Sequence, residues 1–326
     1  MRAVLCTEFA PLDRLQVVER ESPPLPEGHV RIRVAAAGVN FVDALIVQGL
    51  YQLKPKLPFV PGGEIAGVVT EVADGVTTPA VGDRVFASSG LSGGFATEAV
   101  VAAAAAVPTP DALSDTQAAT FVQSYMTARF ALDHRAHARA GQWLLVLGAG
   151  GGVGLAAVDV GAAMGLHVIA AASTEDKRAA ARAHGAAAVV DTTTEDPKIR
   201  ARELAGGDGV DLVYDPVGGA AGEQALRALR DDGQFLVIGF ASGEIPKLPA
   251  NQVLLRNRRV TGVDWGGWAV RHAEENRAIL DSLVADIAAG QLHPVEPATV
   301  PLSRAADALR DQQERRVTGK TALVPD

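Results

Sequence analysis

The sequence predicts an α/β protein of two domains, one built on a small irregular β-barrel and one on a doubly wound parallel sheet. Its 326 residues are too many for one ordinary hydrophobic core and suit two domains of typical size. Short strand-like runs fill the first third, whereas strands and helices alternate regularly after about residue 140. A composition with 48% hydrophobic and 21% charged residues is typical of a folded globular chain.

The first third contains strand-like runs at 30–40, 63–73 and 81–88, separated by turns rich in Gly and Pro. Many short strands with this punctuation favour a small irregular barrel. The run 99–108 fits either a helix or a strand; we interpret it as one buried strand that ends at Pro108. From Ser114, a favourable N-cap residue, the apolar spacing becomes helical and predicts a helix over 114–134.

The middle of the chain alternates between the two element types. Strands are predicted at 143–148, 167–172, 187–191, 210–215 and 233–239, and helices at 153–165, 174–185, 195–205 and 220–229. Apolar strands joined by helices are typical of a parallel, doubly wound sheet. The tail returns to mixed structure, with a strand at 259–265, a helix at 273–290, a short helix to about 312 and a strand at 319–325. We expect domains at 1–120 and 121–260, with 261–326 rejoining the first.

Charge and cysteine content exclude several classes of protein. The formal net charge of −8 and the single cysteine, Cys6, argue against general nucleic-acid binding and against attraction to anionic membrane surfaces. One thiol forms neither an intramolecular disulfide nor a thiolate metal site by itself. No apolar run approaches the roughly 20 residues of a membrane span, and the N-terminus lacks a secretory signal. We therefore expect a cytoplasmic protein.

The glycine-rich stretch 148–154 lies between a predicted strand and a predicted helix. Glycines at such a turn let a pyrophosphate approach the backbone, and the helix N-terminus supplies N–H donors. The register is Ala149, Gly151 and Gly154, so an alanine replaces the usual first glycine. The alternative is a glycine-rich packing turn with no ligand. We predict a dinucleotide phosphate site made by Gly150, Gly151, Gly152, Val153 and Gly154.

The end of the second strand indicates which dinucleotide binds. NAD sites usually carry Asp or Glu there to bond the ribose hydroxyls, but this chain has Ala172 and Ser173, followed by Lys177. A hydroxyl and a cation suit a 2′-phosphate, which favours NADP(H), although Glu175 and Asp176 lie nearby. The alternative for Lys177 is an ordinary solvated helix lysine.

Five segments together resemble the zinc-free quinone oxidoreductases, the zeta-crystallin-like branch of the medium-chain dehydrogenase/reductase superfamily. They are 38–51, 57–69, 148–154, 213–219 and 262–268. The resemblance implies a GroES-like β-barrel catalytic domain built from both chain ends, with a Rossmann domain between them. It also implies NADPH as cofactor, a substrate site in the interdomain cleft and a homodimer.

The resemblance also bears on metal content and substrate. Zinc-dependent relatives place ligands at the positions of Asn40, Gly63 and Gln123, none of which is a thiolate or imidazole here. Without a metal to polarise an alcohol, hydride transfer into a conjugated system is favoured. We expect metal-independent reduction of a quinone or related α,β-unsaturated carbonyl. The alternatives are a reductase of enone, enal or acryloyl double bonds, and a non-catalytic NADPH-binding protein.

The resemblance assigns the site residues. As catalytic residues it implies Asn40, Tyr51 and Thr127, with Asp43 and Trp265 beside the substrate. It is also compatible with Asn40 only holding its loop, Tyr51 only packing and Trp265 lying at the dimer edge. Many relatives have a tyrosine beside the adenosine where this chain has Thr192. Besides the glycine turn, the implied cofactor contacts are Ser173, Lys177, Gly239, Phe240 and Arg316.

Overall fold

The computed structural model describes the whole chain, residues 1–326. Its strands are β1 (Arg2–Leu5), β2 (Gln16–Glu19), β3 (His29–Val39), β4 (Glu64–Val72), β5 (Arg84–Ser88), β6 (Glu98–Ala102), β7 (Ala106–Pro108), β8 (Trp143–Val146), β9 (His167–Ala172), β10 (Ala188–Asp191), β11 (Val210–Asp215), β12 (Leu229–Val237), β13 (Arg259–Gly262), β14 (Ala298–Pro301) and β15 (Thr321–Val324). Its helices are α1 (Phe41–Val47), α2 (Asp115–Ala118), α3 (Val122–Arg129), α4 (Gly152–Ala163), α5 (Glu175–Ala183), α6 (Pro197–Leu204), α7 (Gly219–Ala225), α8 (Ala250–Leu254), α9 (Trp265–Ala269), α10 (Ala273–Ala288) and α11 (Ala305–Gln313).

The chain divides into two compact units, and the first comprises residues 1–123 and 294–326. Its main sheet has the order β14-β15-β3-β4-β5-β7, with β6 also paired to β3. The long strand β3 is central because β15 pairs with its C-terminal part and β6 with its N-terminal part. Since most of these pairings are antiparallel, alternate side chains on β3, among them Val30, Ile32 and Val34, enter one buried apolar cluster.

The predicted single strand over 99–108 is wrong. The structure ends β6 at Ala102, turns through a 3₁₀ segment at Ala103–Ala105, and starts β7 at Ala106. The two halves pair with different strands, β6 with β3 and β7 with β5. An alanine run carries no periodicity that distinguishes one strand from two, so the turn was invisible in the sequence.

The second unit comprises residues 124–293. Its six parallel strands have the order β10-β9-β8-β11-β12-β13, which numbered along the chain is 3-2-1-4-5-6, the order of dinucleotide-binding folds. The direction in which successive strands are added to the sheet reverses between β8 and β11, although all the strands remain parallel. In such sheets ligands bind outside the carboxyl ends of the strands at this point. The glycine turn at 148–154 directly follows β8 and is therefore placed there.

Residues 261–293, expected in the first domain, lie in the second unit instead. The physical reason is that β13 pairs in parallel with β12, with Phe235 opposite Val260. This pairing extends the sheet by one strand, and α9 and α10 follow from it. The chain rejoins the first unit at Pro294, where the Gln117 side chain donates to the Pro294 carbonyl at 2.7 Å.

The predicted continuous helix over 114–134 is also interrupted. Ser114 caps α2, as predicted, by accepting from the Gln117 N–H at 3.1 Å. Helix α3 then begins at Val122 and continues as a π-helical turn at Phe130–Arg135. The Tyr125 hydroxyl donates to Asp159 of α4 at 2.6 Å, which ties α3 to the first helix of the Rossmann-type unit. None of the helices is both long enough and apolar enough to cross a membrane.

Candidate active site

In the first unit, sheet register places three polar side chains at one edge. Gly38 pairs with Glu64 across β3 and β4, and Val39 pairs with Thr321 across β3 and β15. Asn40 follows directly on β3 and Lys320 directly precedes β15. The register therefore brings Asn40, Glu64 and Lys320 together, although Asn40 and Lys320 are 280 residues apart.

These three residues form a buried hydrogen-bonded network. Lys320 Nζ donates to Asn40 Oδ1 at 2.6 Å, and Asn40 Nδ2 donates to Glu64 Oε2 at 2.6 Å. The other Glu64 oxygen accepts from the Gln123 backbone N–H at 2.6 Å, and Lys320 Nζ lies 3.8 Å from Glu64 Oε2. All three side chains are buried. The ion pair of Glu64 and Lys320 is therefore tolerated only when its polar atoms are fully hydrogen-bonded. Glu64 and Lys320 were not assigned roles from the sequence.

A signal for these residues did exist. Glu64 is followed by the apolar run 65–69, and Lys320 precedes the mainly apolar run 321–324. A charged residue that becomes buried beside an apolar strand requires a partner of opposite charge. The sequence does not reveal which distant residue supplies it.

Asp43 joins the network through the backbone of Asn40. Its Oδ2 accepts from the Asn40 N–H at 2.8 Å, which makes it the N3 acid of helix α1 with Asn40 as N-cap. The side chain is 2% exposed. Burial raises the pKa of Asp43 from its ordinary value of 3.8 to about 7; the Asn40 N–H and Lys320 oppose this rise, whereas the Glu64 charge adds to it. Burial also lowers the pKa of Lys320, against the charges of Glu64 and Asp43.

The raised pKa of Asp43 predicts a specific pH dependence of stability. Because the folded-state pKa exceeds the unfolded one, the native state binds the additional proton, so native stability falls between about pH 4 and pH 7. The full cost above pH 7 is about 4 kcal/mol, at 1.36 kcal/mol for each pKa unit. Asp43→Asn removes this group and keeps an oxygen that accepts from the Asn40 N–H.

We expect the difference in unfolding free energy, wild type minus Asp43→Asn, to decrease as pH rises from 4.5 to 7.5. Urea titrations of both proteins at three pH values measure it, and the subtraction cancels other titrating groups. A difference that stays constant or increases with pH would contradict the buried-proton assignment.

The remaining predicted residues of the first unit are Tyr51 and Arg316. Tyr51 is half-buried and packs against the apolar cluster of the unit. Arg316 is exposed, with its guanidinium 2.8 Å from Asp311 and also paired with Glu314. The cofactor and catalytic roles assigned to Tyr51 and Arg316 stay predictions.

In the second unit, the glycine turn has the shape that close approach of a ligand requires. Gly148 adopts φ +58°, a conformation that favours glycine. A Cβ on Gly154 would overlap the Gly148 carbonyl, so α4 packs directly on the turn. Helix α4 begins at Gly152, with Gly151 as its N-cap and no capping side chain. The first N–H groups of this helix therefore have no side-chain partner from the N-cap residue.

Lys177 lies against this turn. A Cβ on Gly150 would overlap the aliphatic stem of Lys177, so only glycine fits beneath it. Thr174 is the N-cap of α5 and accepts from the Lys177 backbone N–H. Ser173 is exposed between the end of β9 and this cap. The structure thus brings together the predicted glycine turn and Lys177.

The other predicted residues of this unit occupy separate elements. Thr127 is buried on α3, and Trp265 is half-buried at the start of α9, where its indole N–H donates to Asn276 at 2.9 Å. Gly239 and Phe240 lie two and three residues beyond the end of β12, with Phe240 exposed. Their assigned roles stay predictions.

Comparisons with known proteins identify both units. Residues 26–111 match the alcohol dehydrogenase GroES-like domain family and residues 152–284 the zinc-binding dehydrogenase family. A quinone oxidoreductase-like protein 2 homolog of Nematostella vectensis is 38% identical over 99% of this chain and 88% of that protein. The chain belongs to the quinone oxidoreductase family. The fold is accordingly that of the medium-chain dehydrogenase/reductase superfamily, as the sequence motifs predicted.

Two solved quinone oxidoreductases support this membership. The Escherichia coli enzyme, complexed with NADPH, is 29% identical with a TM-score of 0.89, and all of both chains is covered. The Thermus thermophilus enzyme, also solved with NADPH, is 33% identical with a TM-score of 0.85 over 99% of this chain and 100% of that chain. Both sequence and fold therefore match quinone oxidoreductases along the full chain.

The residues at the expected ligand positions do not fit a zinc ion, despite the name of one matching family. A Cβ on Gly63 would overlap the Gly90 carbonyl, so no side chain is accommodated there. Asn40 and Glu64 already bind the Lys320 ammonium. A zinc ion bound by the same two side chains would lie close to this ammonium and would be repelled by its positive charge. No group of three or more His, Cys, Asp or Glu residues is arranged to hold a metal ion.

Proposed function

We propose that this protein reduces quinones or related conjugated carbonyls with NADPH by hydride transfer that requires no metal. The observation that carries the proposal is the packing of Lys177 on the glycine turn at the point where the strand order of the sheet reverses. A lysine packed beside a helix N-terminus that has no capping side chain is a combination suited to a phosphorylated dinucleotide. The NADPH complexes of two related quinone oxidoreductases support the same cofactor.

The residues near the turn have distinct parts in the proposed cofactor site. The N–H groups at the start of α4 bind the pyrophosphate, since Gly151 and Gly152 leave the backbone accessible. Ser173 and Lys177 bind the 2′-phosphate, and Arg316 adds a second cation there. Gly239 and Phe240 border the nicotinamide amide. When bound, the nicotinamide supplies the hydride, and the protein supplies position and electrostatics.

The substrate end rests on the network around Asn40. Hydride addition to a quinone or enone leaves negative charge on an oxygen, which hydrogen-bond donors stabilise. The Asn40 amide is held by Lys320 on its oxygen and Glu64 on one N–H, so its second N–H is left for that oxygen. Tyr51 supplies a further hydroxyl donor, and Thr127 borders the nicotinamide. Asp43 holds the Asn40 backbone, and Trp265 forms a wall of the pocket.

The experiment that tests this function follows NADPH oxidation at 340 nm. We expect turnover with 9,10-phenanthrenequinone and 1,4-benzoquinone, at rates unchanged after treatment with a chelator. A matched panel of enones, enals and acrylates separates quinone reduction from double-bond reduction by the ratio of kcat/KM values. Tight NADPH binding without turnover of any acceptor would indicate the non-catalytic alternative. Loss of activity after chelation would overturn the metal-independent mechanism.

We also propose a homodimer, formed through the free edge of β13. This strand ends the parallel sheet, and unpaired edge strands are sites of chain pairing. Val260 on β13 is 43% exposed, and Leu254 and Leu255 just before it are each about three-quarters exposed. Exposed apolar groups beside a free edge favour association.

Light scattering of the wild type should give twice the mass of the chain. Val260→Lys should shift the measured mass towards that of the monomer. A monomeric wild type would refute the proposal.

A further inference from the structure

An ionic cluster lies at the carboxyl ends of β9 and β10. The guanidinium of Arg178, on α5, donates to the Ala172 carbonyl at 3.3 Å and lies 3.1 Å from Asp191 Oδ2. Its Nε lies 3.1 Å from Glu175. Ala172 and Asp191, the last residues of their strands, are register partners. Arg178 therefore spans the two strand ends, and its side chain is only 13% exposed.

This position matters for cofactor choice. An acid at the end of the second strand bonds the ribose hydroxyls of NAD and repels the 2′-phosphate of NADP. That strand, β9, ends in Ala172 and carries no acid, but Asp191 places a carboxylate on the neighbouring strand end. Hydrogen bonds from Thr193 and the charge of Arg178 keep the pKa of Asp191 low, so the carboxylate is ionised at neutral pH.

We propose that Arg178 determines cofactor selectivity by neutralising Asp191. With Arg178 in place, the end of β9 presents a guanidinium and not a free carboxylate to the 2′-position of the ribose. Without it, Asp191 would repel the 2′-phosphate of NADPH and accept a hydrogen bond from the 2′-hydroxyl of NADH. The inference rests on the proposed use of NADPH and adds a residue to Ser173, Lys177 and Arg316.

The same helix offers a matched control. Arg182 pairs with Glu175 at 2.6 Å, as Arg178 does through another atom, but Arg182 forms no ion pair with Asp191. Its side chain is 48% exposed. Arg182→Met therefore removes one arginine from α5 and one partner from Glu175 while leaving Asp191 paired with Arg178. Any effect common to both variants reflects helix charge and not the strand ends.

The test measures dissociation constants of NADPH and NADH by titration of wild type, Arg178→Met, Arg178→Lys, Arg182→Met and the double variant Arg178→Met/Asp191→Asn. We expect Arg178→Met to lower the NADPH preference about 10- to 100-fold, the size of an uncompensated like-charge contact. Arg178→Lys should retain most of the preference. The double variant should regain most of it, because the repelling carboxylate is gone, and Arg182→Met should match wild type.

Three outcomes separate this inference from the proposed function. A wild type that prefers NADH, or binds neither dinucleotide, refutes the NADPH proposal itself. A wild type that prefers NADPH, with Arg178→Met weakening both cofactors equally, overturns the selectivity role and leaves Arg178 structural. A double variant no better than Arg178→Met overturns the part assigned to Asp191. If Arg178→Met fails to fold, Arg178→Gln and the double variant answer the same questions.

Discussion

Lys320→Met should lower the free energy of unfolding by about 3–5 kcal/mol, the cost of removing one partner from a buried ion pair. Lys320 is 4% exposed, and it is the ammonium in contact with both Asn40 and Glu64. Methionine has similar length and fills the space, so packing is nearly unchanged. The decrease in unfolding free energy therefore measures the removal of the Lys320 charge. What remains is a buried Glu64 carboxylate held only by Asn40 and the Gln123 N–H.

A second substitution tests this interpretation. In Lys320→Met/Glu64→Gln both charges of the buried ion pair are removed, and once the Asn40 amide rotates, the new amide can donate to Asn40 Oδ1 while its oxygen accepts from the Gln123 N–H. We expect the double variant to be more stable than Lys320→Met alone. Urea unfolding measures both, with Lys56→Met, an exposed lysine in the same unit, as the control expected within about 0.5 kcal/mol of wild type. A loss below 1 kcal/mol for Lys320→Met would show that the pair is not important for stability.

The same variants bear on catalysis because Lys320 orients the Asn40 amide. In the double variant the introduced amide donates to Asn40 Oδ1, so the Asn40 amide is turned end for end and its N–H groups lose the orientation that Lys320 and Glu64 impose. If Asn40 binds the substrate oxygen, kcat should fall in the double variant even where stability recovers, while NADPH affinity stays unchanged. A double variant with wild-type kcat would assign Asn40 the loop-holding role that the sequence left open.

The second unit was largely predictable because its signals are local. Apolar strands alternate with helices, and each strand predicted between 143 and 239 was found within a few residues of its observed bounds. The glycine turn was recognised from strand and helix on either side. Its details still differ: Gly148, and not a residue at position 149, adopts the positive φ, while Ala149 is fully buried. Which glycine bends the turn depends on packing that the sequence does not display.

The first unit was harder to predict because its contacts are distant in sequence. The pairing of β3 with β15 joins the two ends of the chain. Helix α1 lies inside the segment 38–51, which was used for the family resemblance but was not predicted to be helical. The network of Asn40, Glu64 and Lys320 arises from that pairing, so only the register reveals it. Periodicity reports which face of an element is buried, but not which distant charge a buried carboxylate meets.

Gly151→Ala and Gly154→Ala should separate the phosphate site from the simpler packing turn. A Cβ on Gly154 would overlap the Gly148 carbonyl and lie 2.8 Å from Ala149 Cα. Because these are backbone atoms, the turn must open. We expect Gly154→Ala to lower the stability of the cofactor-free protein by several kcal/mol, as overpacking does in a tight contact, and to weaken NADPH binding at least 100-fold.

Gly151→Ala is the matched control for packing. A Cβ added at Gly151 would lie 3.6 Å from its nearest neighbour, the Gly148 carbonyl oxygen, which is an ordinary contact. The φ of Gly151, −90°, also suits alanine. Stability without cofactor should therefore change by less than about 1 kcal/mol, the scale of an N-cap substitution. If the pyrophosphate approaches this backbone, the same methyl group should still weaken NADPH at least tenfold, since close approach needs the missing Cβ. Calorimetric melting without cofactor and NADPH titration give both quantities, and an unchanged NADPH affinity in Gly151→Ala would mean that the glycines serve packing alone.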